Sequence, residues 1–370
     1  MKQRRVCSAY LLHQAALDIP HDLTRCFPMR ALRTLVLLLC LAAFTDVERS
    51  VAQSLDVPVE GYGLSIGDSP WVNGLRINFR DRNLRRVNGV NLTIWTPRSP
   101  ASGTVNGVAL GVPMTGARRI RGLAVGIIGA GADETITGVA LGPVGVGSGR
   151  SIEGLGIGGI GIGAGGDLIG VGIGGLGAGA GADVTGIMVG GLGVGAGDDI
   201  TGIMIGGLGV GGGGDVLGLG IGGLGVGAGG SVTGVAFGGL GVGGGGDMTG
   251  LMVGGLGVGG GGTMQGLFVG GVGVGGPKIV GAVLAGAVAG GERITGGVIA
   301  PAYFQITEEG RLTGFSLSAF NHIKGEQNGF TLGLLNYARY LNGVQVGLLN
   351  FAGNKRHGLR WLPFINWHFD

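Results

Sequence analysis

The side chains with the plainest chemical potential are four carboxylates at even spacing: Asp167, Asp183, Asp199 and Asp215, each sixteen residues from the next. Such a row, with carbonyl oxygens, could hold calcium, which takes about six to eight oxygen ligands. Calcium-binding Gly-rich solenoids, however, use nonapeptides with Asp inside GGxGxDxUx. Here GGGGDVLG supplies one carboxylate per sixteen residues, so a weak calcium site at these four aspartates is the most the pattern offers. Followed outward, the same column reads Thr135, Ser151, Asp167, Asp183, Asp199, Asp215, Ser231, Asp247 and Thr263. Every member is short and carries an oxygen acceptor, and such groups bond nearby backbone N–H in turns. A catalytic column would not interchange Thr, Ser and Asp, so the expected role is structural turn chemistry.

Other motifs carry less. Gly172-Ile173-Gly174-Gly175-Leu176-Gly177 satisfies GxGxxG, but 92 of the 370 residues are Gly, and no helix follows to hold a pyrophosphate. Beyond residue 52 the histidines are His322, His357 and His368, without metal-site spacing. Asn91-Leu92-Thr93 is a glycosylation sequon by pattern, idle behind a bacterial export signal. No constellation of acid, base and nucleophile is visible. The expectation is therefore no catalytic residue, no cofactor and no enzyme.

What positions these residues is a repeat. The glycine in ITGIMIGGLGVG recurs at Gly122, Gly138, Gly154, Gly170, Gly186, Gly202, Gly218, Gly234, Gly250 and Gly266. Weaker copies fall at Gly74, Gly89 and Gly107, then at Gly281, Gly296, Gly314, Gly329, Gly343 and Gly358. These nineteen units make one array. In the copy around Gly202 the apolar residues are Ile200, Ile203, Ile205, Leu208 and Val210. The spacing within each of the pairs Ile203/Ile205 and Leu208/Val210 is that of a strand, and the Gly206-Gly207 pair between them suits a sharp corner. A second phase slip separates Ile200 from Ile203, and with two short strands meeting at the Gly-Gly corner all five residues are expected to point inward. Met188, Met204, Met252 and Phe268 then point outward, an exposed apolar column that suggests a partner surface.

Two all-β architectures fit. In a β-solenoid or β-roll each sixteen-residue unit is one coil, and nineteen coils at about 4.8 Å make a rod of roughly 90 Å. In an antiparallel outer-membrane β-barrel each unit is about one strand. Alternate turns of such a barrel differ in length, whereas the spacing here has no odd–even alternation. A wide barrel also needs polar residues facing its lumen, and residues 154–276 offer almost none outside the turn column. The solenoid is preferred. Its stacked aspartates would repel by only about 1 kcal/mol per neighbour in water.

Composition agrees. Hydrophobic residues make up 45% of the chain, too many for a solvated disordered chain, and the Gly spacing is not that of collagen. LVLLLCLAAF at 35–44 follows Arg30 and Arg33 and precedes Ser50-Val51-Ala52, which reads as a secretory signal cleaved after Ala52. The expected order is an upstream extension (1–28), the signal peptide (29–52) and a lead segment (53–73). An N-terminal cap with divergent repeats (74–121), regular repeats (122–281), and divergent repeats with a C-terminal capping strand (282–370) follow. Whether translation starts at Met1 or Met29 stays open. Cys7, Cys26 and Cys40 all lie in the leader, so no disulfide framework is expected. Seven basic and four acidic residues also leave with 1–52, and the remainder carries eighteen of each. With no net charge, nucleic acid is not an expected partner.

Both ends are less glycine-rich. In 74–95, Leu75, Ile77 and Phe79 alternate with Arg76, Asn78 and Arg80, the pattern of a cap with one wet face. The chain closes with LPFINWHFD, where Ile365, Trp367 and Phe369 alternate with Asn366 and His368. This is either a capping strand or a terminal aromatic signal of the outer-membrane kind.

The tail GVQVGLLNFAGN, the unit VTGVAFGGLGVGAG and the leader together resemble a family of exported bacterial surface-repeat proteins with tandem GVQ-x-GL-x-N units and no assigned activity. The resemblance covers about residues 74–369, with Asn336 and Asn350 in family positions, whereas the central array has Gly there. A looser resemblance is to the head repeats of trimeric autotransporter adhesins, although the coiled-coil stalk is missing. The resemblance implies a non-enzymatic, exported protein of the bacterial cell surface or outer membrane with a structural or adhesive role. The expected partners are a second copy or an envelope or surface polymer, and membrane association stays open. The alternative function, an outer-membrane channel or transport barrel, belongs to the alternative fold.

Overall fold

One repeat shows how the chain is laid out. It runs as a strand over Ile200–Gly206, turns at Gly207 and Leu208, forms a shorter strand over Gly209–Gly212, and starts the next coil at Val216–Gly222. Ile200 pairs with Val216 and Gly206 with Gly222, in parallel, while Gly209 to Gly212 pair with Gly225 to Ala228, also in parallel. Parallel strands need a crossover between them, and each half of the coil is the crossover for the other. The computed structural model describes residues 54–59 and 62–369, which form a β-solenoid of about 17 turns without α-helix. Seventeen rises of about 4.8 Å give a rod of about 80 Å. The extension and signal peptide expected over 1–52 lie outside the described residues.

The two ends reverse direction. Leu55–Val59 pairs antiparallel with Tyr62–Ile66, and Trp361–His368 runs antiparallel along Leu335–Ala352. These end strands cover rungs that would otherwise be open sheet edges. Every pairing between coils is parallel. The antiparallel barrel is therefore not the fold, and the channel reading loses its lumen.

The faces are the reverse of those expected in much of the coil. The long strand alternates without interruption, with Ile200, Gly202, Met204 and Gly206 inward and Thr201, Ile203 and Ile205 outward. Met204 is 1% exposed, whereas Ile203 and Ile205 are each 40% exposed and Leu208, at the corner, 49%. Only Ile200 and Val210 of the five expected inward residues are buried, while Met188, Met204, Met252 and Phe268, expected outside, are core. The cause is Gly202. It has φ 125°, and a Cβ on it would stand 2.1 Å from the Gly186 carbonyl oxygen of the preceding coil. Gly202 thus occupies an inward position of the same strand and does not mark a phase slip. Eighteen of the nineteen anchor glycines share this left-handed backbone. The nineteenth, Gly358, lies in the 3-10 turn His357–Leu359 and is not a repeat anchor.

The core lies between the two strands of each coil. A Cβ on Gly220 would meet Val226 Cγ1 at 3.1 Å, so the Met204 column faces the Val210 column. Where Gly172 and Ala178 leave space, Met188 of the next coil fills it, its Sδ lying 2.5 Å from where a Gly172 Cβ would be. A flexible thioether suits such an uneven gap.

The N-terminal cap shows the same inversion. Leu75 and Phe79 are exposed, while Arg76 and Asn78 are buried. Arg76 stands two after its anchor, in the Met204 column, so the supposed wet face is the inside of the rod.

Candidate functional site

The turn column does a more specific job than closing its own turn. Six successive members, Asp167 to Asp247, each take a hydrogen bond from the backbone N–H sixteen residues on. Asp183 N–H donates to Asp167 Oδ1 (3.4 Å), Asp199 to Asp183 (3.0 Å), Asp215 to Asp199 (2.7 Å) and Ser231 to Asp215 (2.7 Å). Asp247 donates to Ser231 Oγ at 3.3 Å and Thr263 to Asp247 at 2.6 Å. Where the acceptor is a carboxylate, the contact is shortest when a Gly precedes the donor. A Cβ on Gly214 would come within 2.2 Å of Asp199 Oδ1, and Ala182 and Asp198, which do carry one, go with the longer bonds. Thr135 and Ser151 lie within strands, and Ser151 donates to Glu153 at 3.3 Å. Asp167, Asp183, Asp199 and Asp215 thus commit one carboxylate oxygen to the next coil. No group of three or more ligating side chains gathers among the described residues.

Polar groups concentrate inside the two ends. Arg76, fully buried, donates to Ser69 O (2.9 Å), Asn91 Oδ1 (2.8 Å) and Asp68 Oδ1 (2.6 Å), and pairs with Asp81. Thr93 donates to the same Asp81 at 2.7 Å. A buried cation so surrounded is an end plug whose parts depend on one another. Nearby, the side chains of Ser65 and then Ser69 hold the Asp56 carboxyl below its ordinary range, with Ser69 Oγ donating to Asp56 Oδ1 at 2.7 Å. At the other end the side chains of Asn321, Asn336 and Asn350 form an inward ladder, each amide donating to the next Oδ1 at 2.7 Å. Asn336 and Asn350 thus lie inside, and the ladder is internal to the rod. The sequence signal for both ends was the polar residues themselves; those of the N-terminal cap were read as a wet outer face because the phase was misassigned.

An aromatic file runs beside the Asn ladder. His322 stacks on Phe320 (5.1 Å), Tyr337 on Phe351 (4.7 Å), and Trp361 packs on Phe351 (4.8 Å). The Tyr303 hydroxyl shares a hydrogen bond with His322 Nδ1 at 2.8 Å. Burial, and then the charge of Lys324, lower the His322 pKa. His357 falls in the 3-10 turn and His368 in the last strand, and the structure does not gather the three histidines.

The outward apolar column expected at position two after the anchor stands instead at its neighbours. Positions one and three after the anchor form two apolar columns on the outside of the long strands. They run through Leu155/Ile157, Val171/Ile173, Ile187/Val189, Ile203/Ile205, Leu219/Ile221, Val235/Phe237, Leu251/Val253 and Leu267/Val269, rung on rung. A third column stands at the adjacent corner, including Leu176, Leu192, Leu208, Leu224, Leu240 and Leu256, each about half exposed. Eight coils at about 4.8 Å carry this strip for nearly 40 Å. No family model, curated protein or solved structure matches the chain.

Proposed function

We propose that this chain is a non-enzymatic repeat scaffold of the bacterial cell envelope, exported and working through its outer faces in a structural or adhesive role. The observation that carries the proposal is the long strip of outward Ile, Val and Leu on a capped, regular rod. Soluble monomers rarely expose contiguous apolar patches beyond roughly 300–600 Å², so a strip of this length suits contact with an extended partner. The signal-like segment before residue 53 and the family resemblance support the envelope address. Fractionation of cells expressing the whole protein tests the reading. Recovery in the envelope fraction, with loss of the protein on protease treatment of intact cells, is expected. Recovery wholly in the cytosolic fraction overturns it.

A further inference from the structure

We propose that the apolar face of the long strands is a homodimer interface, closed by the same face of a second copy with the two rods parallel. The proposal rests on reading this face as a contact surface but not on the cellular address. The face is regular, with apolar side chains in rows along the rod and, one residue before each anchor, Thr185, Thr201, Thr233 and Thr249 with Leu217 among them. Two such faces pack as sheets do, about 10 Å apart with side chains interdigitating.

The area suffices. The two central columns continue from Leu75/Ile77 to Val344/Val346, with Ala282 and Gly297 as the small exceptions on the way. About 80 Å of rod by about 10 Å of outward strand gives on the order of 800 Å² per copy, or about 1,600 Å² for a pair, the size of a standard stable interface.

Charge and residue type separate a second copy from a bilayer. Peripheral membrane faces carry Lys or Arg for anionic headgroups and Trp or Tyr at the interface. Between Arg150 and Lys278 there is no basic residue, while Glu153, Asp167, Asp183, Asp198, Asp199, Asp215 and Asp247 are acidic, and between Trp95 and Tyr303 there is neither Trp nor Tyr. In the end coils Arg86, Arg119, Lys278, Arg293 and Arg311 stand in the Asp column, beside and not within the two central apolar columns. The same carboxylates select the orientation. The Asp column runs along one margin of the face and the Leu column along the other. A two-fold axis across the rods would set Asp column against Asp column. A two-fold axis along the rods sets each Asp column beside the partner's Leu column and keeps the carboxylates apart.

In the parallel dimer every coil meets its own copy, which gives the test. The full chain with Cys7, Cys26 and Cys40 replaced by Ser receives a single Ile187→Cys or, three coils on, a single Val235→Cys. Each is treated with a bismaleimide of short spacer. Both variants are expected to give a covalent dimer, and light scattering of the unmodified chain twice the 36.7 kDa chain mass. Ile203→Lys with Ile205→Lys is expected to raise the dimer Kd by about a hundred-fold or more while the far-UV spectrum stays that of a β protein. If the Lys pair does not fold, Ile203→Thr with Ile205→Thr replaces it. A monomeric unmodified chain, a dimer untouched by the folded variants, or a monomer that binds phosphatidylcholine vesicles overturns the interface. Cross-linking at only one of the two coils overturns the parallel arrangement.

Discussion

Exchanging Met204 and Ile203 for Thr, one at a time, tests the assignment of faces on two adjacent residues. Met204 sits at 1% exposure between Met188 and Gly220 in its column. Met204→Thr removes a buried thioether arm, about 2–3 kcal/mol of apolar burial, and leaves a hydroxyl in the core without a partner, about 1–3 kcal/mol. Partial relaxation brings the expected loss to about 3–5 kcal/mol, in the range of large-to-small core changes. Ile203→Thr keeps the β-branch that suits a strand and turns its hydroxyl to water, so about 0.5–1 kcal/mol is expected. The readout is guanidinium unfolding followed by far-UV circular dichroism, at two protein concentrations so that any dimer linkage is separated from coil stability. Coils depend chiefly on their neighbours, so Met204→Thr either lowers the midpoint markedly or splits the transition, whereas Ile203→Thr lowers it only slightly and leaves a single transition. Equal losses, or a larger loss for Ile203→Thr, would refute the inward placement of the Met column.

Glycine positions make a second contrast. Gly202→Ala forces a Cβ against the Gly186 carbonyl oxygen at a left-handed φ and should cost more than about 4 kcal/mol. Gly211→Ala meets nothing within 4 Å and should leave coil stability unchanged or raise it by up to about 1 kcal/mol; thermal melts distinguish them. Arg76→Ala strands Asp68 and Asp81 in the N-terminal plug and should cost about 3–5 kcal/mol, visible as faster hydrogen exchange confined to about residues 54–95. Asp199→Asn retains the acceptor for Asp215 N–H and should stay within about 0.5 kcal/mol of the parent, whereas Asp199→Ala should lose about 1 kcal/mol; midpoints of chemical unfolding check both. His322, with its folded pKa below the ordinary 6.5, favours the native state fully above that value, and the contribution falls away as pH drops below it and the unfolded chain takes up the proton first. Melting temperatures between about pH 7.5 and 5.5 should therefore fall less steeply in His322→Phe.

The architecture was legible because it rests on period. A sixteen-residue return of Gly, short acceptors and paired glycines suits coils stacked on one another, and constant spacing spoke for parallel coils over barrel strands. Ile200 and Val210 were placed correctly inside, since their columns hold only apolar or small residues in the regular repeats. The phase between them was not legible. Ile203 and Met204 are both apolar, and hydrophobicity cannot say which of two neighbouring apolar residues faces in when an inward position is held by Gly202. That was decided by the approach of stacked backbones, where a Cβ at the anchor meets a carbonyl oxygen one coil away. The same approach decided the ends: Arg76 and Asn336 look like surface residues by type. They lie inside because they inherit inward columns, and their burial is tolerated because Asp68, Asp81 and the neighbouring Asn side chains arrive from adjacent coils. Sequence alone determined the ruler, the corners and the acceptor column. Only the tertiary structure decided which side of each strand is the inside, because that depends on contacts between residues sixteen apart rather than on any residue's own chemistry.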